Sequence, residues 1–282
     1  MKTPRFLLAV DMDGTLLRDD KTVAEVDAAA IRTAAEHGIA VTIATGRLTT
    51  GALPTARALG LGVPLICADG GLLVDCETGA ALERRAIATE HARAALAVME
   101  AAELVPYIFL ADAIHCDGRG ERHRALIDTW SREIVVHPQL REAEAWQQPD
   151  GVSVTAGVGP RENVERASEQ LQRSQATTLD TVHFSMGGLV TWAVRSLPHG
   201  CDKGHMLARL ATRLGIPRER VSAVGDWFND LGMFAYAGRS FAMGQAPDVV
   251  HQRATDRLRA TSATGGGIAE AIAALIADSA AG

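Results

Sequence analysis

Lysine is nearly absent from this chain. Among its 28 Lys+Arg residues the lysines are Lys2, Lys21 and Lys203, and every other member is arginine. A lysine kept deep in so arginine-rich a chain suggests that a compact, point-like ammonium is wanted at that place. Cysteine is sparse too. Cys67, Cys76, Cys116 and Cys201 form no C-x-x-C pair, which excludes the common zinc and dithiol motifs and leaves buried free thiols as the expected state. No apolar run approaches the length of a membrane span. The segment Met1-Lys2-Thr3-Pro4-Arg5 leads into a short apolar run that Asp11 ends, too short for a signal peptide. A cytoplasmic protein with no membrane partner is expected. Basic charge is not in excess either. The formal net charge is −6, which offers no electrostatic footprint for nucleic acid. An acidic protein that handles a phosphate must therefore supply local positive charge or a metal.

What is present is a chain of 282 residues, 47% hydrophobic and 22% charged, with room for one large domain or two smaller ones around a proper core. The apolar run Phe6-Leu7-Leu8-Ala9-Val10 reads as a buried strand of a parallel sheet. Asp11-Met12-Asp13-Gly14-Thr15 follows at its carboxyl end, where open α/β sheets bind ligands. Residues two apart in extended chain face the same way, so Asp11 and Asp13 are expected to point together into a crevice. Crowded carboxylates repel unless a cation or shared proton offsets them. That pairing suits Mg²⁺, a carboxylate nucleophile and an acid/base partner. Taken alone, Asp-x-Asp-Gly also fits an ordinary acidic turn.

Strands and helices alternate from there. Thr22-Val23-Ala24-Glu25 has the capping-box form and opens a helix that Gly38 stops. Residues 39–44 form a second strand, 49–59 a helix and 64–68 a third strand, a βαβαβ pattern that implies a parallel sheet. From about residue 82 to 190 the pattern becomes α+β. Helices are predicted near 89–103, 120–132 and 161–174, with strands at 107–110, 113–116, 152–155 and 182–185. Doubly wound character then returns, with a helix over 203–214, a strand at 221–224, a further βα unit around Phe241-Ala242-Met243-Gly244 and a last helix entered through Gly265-Gly266-Gly267. Trp227 and Phe228 are expected to pack under neighbouring helices.

Four short segments sit at strand tips or helix starts: Asp11-Met12-Asp13-Gly14-Thr15, Ala44-Thr45-Gly46-Arg47, Asp202-Lys203-Gly204 and Gly225-Asp226-Trp227-Phe228-Asn229-Asp230. Their order and chemistry resemble the haloacid dehalogenase superfamily of phosphohydrolases, and the long insertion between the second and third resembles its Cof-like sugar-phosphatase branch. Ala242-Met243-Gly244-Gln245-Ala246 and Gly265-Gly266-Gly267-Ile268-Ala269 also match that branch, so the likeness spans nearly the whole chain.

The resemblance implies a fold and a mechanism. The fold is a doubly wound α/β core of residues 1–81 and 191–282, with a mainly parallel sheet, and an inserted α+β cap domain of residues 82–190 that closes over the site. Asp11 is the nucleophile that forms an aspartyl-phosphate, and Asp13 the acid/base. Mg²⁺ is held by Asp11, the Asp13 backbone carbonyl and Asp226, with Asn229 and Asp230 completing or orienting that shell. Thr45, Gly46, Lys203 and Asn229 bind the substrate phosphate, Lys203 neutralises the reacting centre, and Arg47 contacts substrate or braces the cap. The chain departs from the branch at Asp69-Gly70-Gly71, where Asn-Gly-Ala is usual. The expected activity is Mg²⁺-dependent hydrolysis of a small phosphorylated metabolite, a sugar phosphate above all. A phosphomutase using the same aspartyl-phosphate and a non-catalytic phosphometabolite sensor are the alternatives.

Overall fold

The computed structural model describes residues 4–110, 112–186 and 190–281; Lys2 lies outside them. The chain divides into two compact units. The first comprises Met1–Thr45, Ala52–Ala80 and Asp202–Gly282, the second Gly46–Gly51 and Ala81–Cys201.

The first unit opens with β1 (Phe6–Val10), whose residues Leu7 to Val10 are wholly buried. This is the continuous apolar run of a strand covered on both faces. Helix α1 (Glu25–Glu36) follows. It starts later than the capping box predicts. Its N-cap is Ala24, which supplies no side-chain bond, while the Thr22 hydroxyl donates to Asp20 Oδ1 at 2.6 Å in the preceding turn. Arg18 donates to the same hydroxyl oxygen from Nη2 at 2.7 Å and Nε at 3.2 Å, which occupies the lone pairs that would have capped the helix. Next come β2 (Ile39–Ile43), α2 (Thr49–Ala58), β3 (Leu65–Cys67) and β4 (Leu72–Val74). Strand β3 meets β2 through a parallel bridge, Ala44 to Ile66, and pairs antiparallel with β4.

The second unit continues with β5 (Ala81–Arg84), α3 (Thr89–Ala101), β6 (Val105–Phe109), β7 (Ile114–Asp117), α4 (Arg124–Ile127), β8 (Ile134–His137), β9 (Val154–Gly159), α5 (Arg161–Ser174), β10 (Leu179–Ser185) and β11 (Trp192–Pro198). Six of these strands make one sheet in the order β10-β11-β9-β6-β7-β8. In α3 the buried positions are Ala92, Ala95, Leu96 and Met99, and in α5 Val164, Ala167, Ser168 and Leu171. Both sets follow the i, i+3, i+4, i+7 stripe of a helix with one buried face. The apolar members join Ile108 of β6 and Val194 of β11 in a single core.

Three sequence expectations need correction here. The helix predicted over 120–132 is a 3-10 segment, Gly118–His123, followed by the one turn of α4. Asp117 starts that segment by accepting from the Arg119 N–H at 3.0 Å. Strand β8 was not expected at all. It is an edge strand with Val135 and Val136 each 40% exposed, so it lacks the alternation that marks a half-buried strand. The boundary after the insertion also falls later than residue 190. Strand β11 lies between β9 and β10 in the insert's sheet, and the unit ends at Cys201.

The first unit resumes with α6 (Lys203–Leu214), β12 (Val221–Gly225), α7 (Leu231–Tyr236), β13 (Arg239–Ala242), α8 (Asp248–His251), β14 (Asp256–Arg257) and α9 (Gly267–Ala281). Its main sheet runs β14-β13-β12-β1-β2, all parallel. Strand β1 thus has β12 on one side and β2 on the other, and the strand order reverses around it, which opens a crevice beyond the carboxyl ends. Helix α9 begins at the last glycine of the Gly265-Gly266-Gly267 run. The buried Asp27 carboxylate of α1 accepts from the Gly266 and Ala269 N–H groups, each at 2.8 Å, and so supplies its N-terminal cap.

All four cysteines are free and buried. Burial pushes the Cys67 thiol up to about 12 and the Cys116 thiol up to about 11, so both stay protonated and inert.

Candidate active site

Asp11 leaves the end of β1 and is 6% exposed. Asp226 leaves the end of the adjacent β12. Lys203 is the first residue of α6 and is wholly buried. A cation at a helix N-terminus opposes the helix dipole, so helix stability does not account for it. Its Nζ instead donates to Asp11 Oδ1 at 2.5 Å and to Asp230 Oδ1 at 2.7 Å. Asp230, also wholly buried, uses Oδ2 to accept the backbone N–H groups of Asp226 at 2.9 Å and Trp227 at 3.0 Å. One carboxylate thereby orders both the lysine and the turn that carries Asp226.

Each of Asp11, Asp226 and Asp230 offers one oxygen within 4.8 Å of the others. Three carboxylates around one ammonium leave a surplus of negative charge. Burial first, and then Asp230, raises the Asp11 carboxyl well above the usual range against the pull of Lys203. The same two causes push Asp226 up to about 6. Burial works against the Lys203 ammonium, but Asp11, Asp230 and Asp69 outweigh it and hold it charged. Hard oxygen donors with uncompensated charge fit a divalent cation such as Mg²⁺.

Two residues that sequence reasoning missed hold Asp226. The Thr15 hydroxyl donates to its Oδ1 at 3.0 Å. The Gln245 amide donates to its Oδ2 at 3.3 Å and to the Gly14 carbonyl at 2.7 Å. Gln245 stands in a segment quoted above for its family likeness, which was the available signal. Gly14 adopts φ +85°, and a Cβ there would collide with the Asp226 carboxylate, so the turn after β1 needs glycine twice over.

The Asp13 side chain is 38% exposed, and its Oδ1 lies 3.2 Å from Lys21 Nζ. The two lysines of the described residues therefore each meet a carboxylate of the first motif, and Lys21 was not singled out in the sequence. Thr45 is buried at the end of β2. Its N–H donates to the Ile66 carbonyl at 2.8 Å, and its carbonyl accepts from the Asp69 N–H at 2.9 Å. Gly46 and Arg47 belong to the second unit, where Arg47 donates to the Gly51 carbonyl at 3.4 Å.

Asn229 donates its amide to Asp69 Oδ1 at 3.0 Å. This gives the unusual Asp69 an acceptor role that the sequence did not suggest. Ala68, Asp69 and Gly70 all have positive φ, at 50°, 50° and 98°. Two non-glycine residues in the left-handed region mark a strained turn, of the kind that functional sites retain. Trp227 and Phe228 depart from expectation as well. They are 44% and 48% exposed and pack edge-on against each other, ring centroids 5.3 Å apart. The tight turn closed by Asp230 projects them outward.

Asp69→Asn provides a test of how far that extra charge reaches. An asparagine still offers an oxygen to Asn229, but the negative charge felt by Lys203 is gone. KM for a phosphate ester should fall by up to about fivefold, since a screened charge of this kind is worth on the order of 1 kcal/mol. Steady-state kinetics across a pH series checks this; an unchanged KM and kcat at every pH would show that the charge does not reach the substrate.

The parallel sheet with this crevice is shared with solved α/β hydrolases. A haloacid dehalogenase-like hydrolase from B. subtilis superposes with a TM-score of 0.82 at 25% identity, over 95% of this chain and 99% of that one. One from Bacteroides thetaiotaomicron gives 0.79 at 24% identity, over 96% and 99%. The haloacid dehalogenase-like hydrolase family model matches residues 8–272, and the chain belongs to that family. Curated relatives include the 5-amino-6-(5-phospho-D-ribitylamino)uracil phosphatase YcsE of Bacillus subtilis, 28% identical over 88% of this chain and 87% of its own length. The pyridoxal phosphate phosphatase YbhA of Escherichia coli is 28% identical over 88% and 91%. The protein is a phosphoric monoester hydrolase. No helix among the described residues is long and apolar enough to cross a membrane.

Proposed function

We propose that this chain hydrolyses small phosphorylated metabolites, sugar phosphates among them, by way of an aspartyl-phosphate on Asp11, with Mg²⁺ as cofactor. The observation that carries the reading is the buried Asp11–Lys203–Asp230 arrangement beside Asp226. A wholly buried lysine between two carboxylates costs desolvation that stability alone does not repay, whereas a phosphoryl group arriving there meets both a nucleophile and a neutralising charge.

In this reading an Asp11 oxygen attacks phosphorus and the phosphorus–oxygen bond of the ester breaks. Asp13 delivers a proton to the departing alkoxide. Asp13 then takes a proton from water as that water attacks phosphorus, the bond to Asp11 breaks, and inorganic phosphate leaves. Lys203 offsets charge on Asp11 and the phosphoryl oxygens. Thr45 and the Gly46 N–H bind phosphate oxygens, and Arg47 contacts the substrate or the insert. Asp11, the Asp13 carbonyl and Asp226 would hold Mg²⁺, with Asp230 orienting them and Asn229 nearby. When bound, the cation lets a carboxylate and a phosphate dianion approach each other. The relatives named above handle a phosphorylated ribitylaminouracil and pyridoxal phosphate, which supports a metabolite rather than a macromolecule as substrate.

A screen of phosphorylated metabolites, sugar phosphates and pyridoxal phosphate included, should find phosphate release that Mg²⁺ supports and EDTA abolishes. No release from any ester in the presence of Mg²⁺ would overturn the reading.

The cation can also be tested without turnover. Unfolded Asp titrates near 3.9, while burial and Asp230 push Asp226 up to about 6 in the fold. An acid raised in the folded state takes stability away as pH climbs between those values, and the loss is complete above the higher one. A bound cation relieves that penalty. MgCl₂ should therefore raise Tm more at about pH 7.5 than at about pH 5. Equal shifts at the two pH values would remove Asp226 from the metal set.

A further inference from the structure

Arginine 195 lies in the middle of β11 and is 3% exposed. Its guanidinium sits over two aromatic rings of the same unit, 5.2 Å from the Phe109 centroid and 5.3 Å from that of Trp130. Nη2 donates to the Gly46 carbonyl at 3.3 Å. Burying a guanidinium is expensive, and cation–π contacts offset only part of the cost. The position must gain something from the charge and the fork of donors together.

The segment it grips is fastened at several points. The Leu48 N–H donates to the Trp130 carbonyl at 2.7 Å. The Thr50 and Ser131 hydroxyls are 2.8 Å apart, and Ser131 is wholly buried and held by Glu133, donating to its carbonyl and accepting from its N–H at 3.1 Å each. Trp130 in turn packs against Phe109 and Phe184, with centroids 5.5 and 6.2 Å away. Residues 46–51, which follow β2 directly, are therefore shaped by the insert.

Gly46 is where this bears on chemistry. The Gly46 N–H lies in one planar unit with the Thr45 carbonyl, and the next unit joins it through the loosely restricted φ and ψ of a glycine, so that plane is fixed against rocking only when both units are held. The unit before it, the Thr45 carbonyl with the Gly46 N–H, is held by the Asp69 N–H at 2.9 Å. The unit after it, beginning with the Gly46 carbonyl, is held by Arg195. We propose that Arg195 is a positioning residue, clamping the Gly46 carbonyl so that the Gly46 N–H is kept aimed at the substrate phosphate. This rests on the reading that Thr45 and Gly46 bind that phosphate.

The wild type, Arg195→Met, Arg195→Lys and Thr45→Val are compared by steady-state kinetics, by competitive inhibition with inorganic phosphate and by the Mg²⁺-induced rise in Tm. The Met variant is expected to raise KM and the phosphate Ki by at least about tenfold, with kcat falling less and the Mg²⁺ response unchanged. The Lys variant keeps charge between the rings but loses the fork, and should show the same split at smaller size; it decides the matter if the Met variant does not fold. KM and Ki within twofold of wild type in a folded Arg195 variant would overturn the proposal. So would parallel loss of kcat, KM and the Mg²⁺ response, which marks a general structural role. Thr45→Val separates the two layers of argument. If it leaves Ki unchanged, the phosphate-site reading fails; if it weakens phosphate binding while the Arg195 variants do not, only the clamp fails.

Discussion

Asp11→Asn should lose at least about a thousandfold in kcat, roughly 4 kcal/mol of transition-state stabilisation, while the protein stays folded. Asparagine has nearly the shape of aspartate but cannot act as the carboxylate nucleophile. Folding should not suffer, because the native site is crowded with negative charge. Burial and the neighbouring Asp230 and Asp226 disfavour an ionised Asp11, and the asparagine removes that repulsion. Lys203 keeps Asp230 as a partner at 2.7 Å. The metal-free variant is thus expected to melt at or above the wild-type temperature. The check is phosphate release from an accepted substrate beside a thermal melt. Activity within tenfold of wild type would sink the covalent mechanism. Asp13→Asn should be severely impaired too, since an amide relays no proton, but it is half-exposed and ought to leave stability almost untouched.

Lys203 carries the second large effect. Its ammonium spans Asp11 at 2.5 Å and Asp230 at 2.7 Å with no exposed surface of its own. Arginine keeps the charge but spreads it over a larger fork for which this space is not built. Lys203→Arg should lose at least about tenfold in kcat/KM, or roughly 1.4 kcal/mol. Lys203→Met removes the charge outright and leaves two buried carboxylates without a cation. Breaking a buried pair from one side costs about 3–5 kcal/mol, so urea unfolding in EDTA should register a loss of that order. Near-wild-type kinetics in the Arg variant would reduce Lys203 to a general positive charge.

Much of this was legible locally. The run Phe6–Val10 marks β1 because a strand buried on both faces needs no polar residue, and the abrupt Asp11 marks its carboxyl end. The stripes of α3 and α5 are set by helical periodicity. The rarity of lysine points to Lys203 by composition alone. Where local chemistry competes with itself, the reading was poorer. Thr22 satisfies a capping box on paper, yet its hydroxyl oxygen accepts from Arg18 instead. Phe228 and Trp227 are apolar and on that ground are expected under neighbouring helices, but the turn closed by Asp230 faces them outward.

By itself, the order of residues determined what depends on near neighbours: the buried strands, the amphipathic helices and the chemical types that end each strand of the main sheet. Only tertiary structure decided which of those types meet. Asp69 finds Asn229 across 160 positions, and Gln245 reaches the Gly14 carbonyl across 231. Strand β11, which the expected boundary at residue 190 puts with the core, is claimed by β9 and β10, and that pairing carries Arg195 to the Gly46 carbonyl across 149 residues. Propensity and periodicity act within a few residues and leave a signature in any short window. A hydrogen bond between distant residues depends on how sheets and helices pack, and no window of sequence contains that.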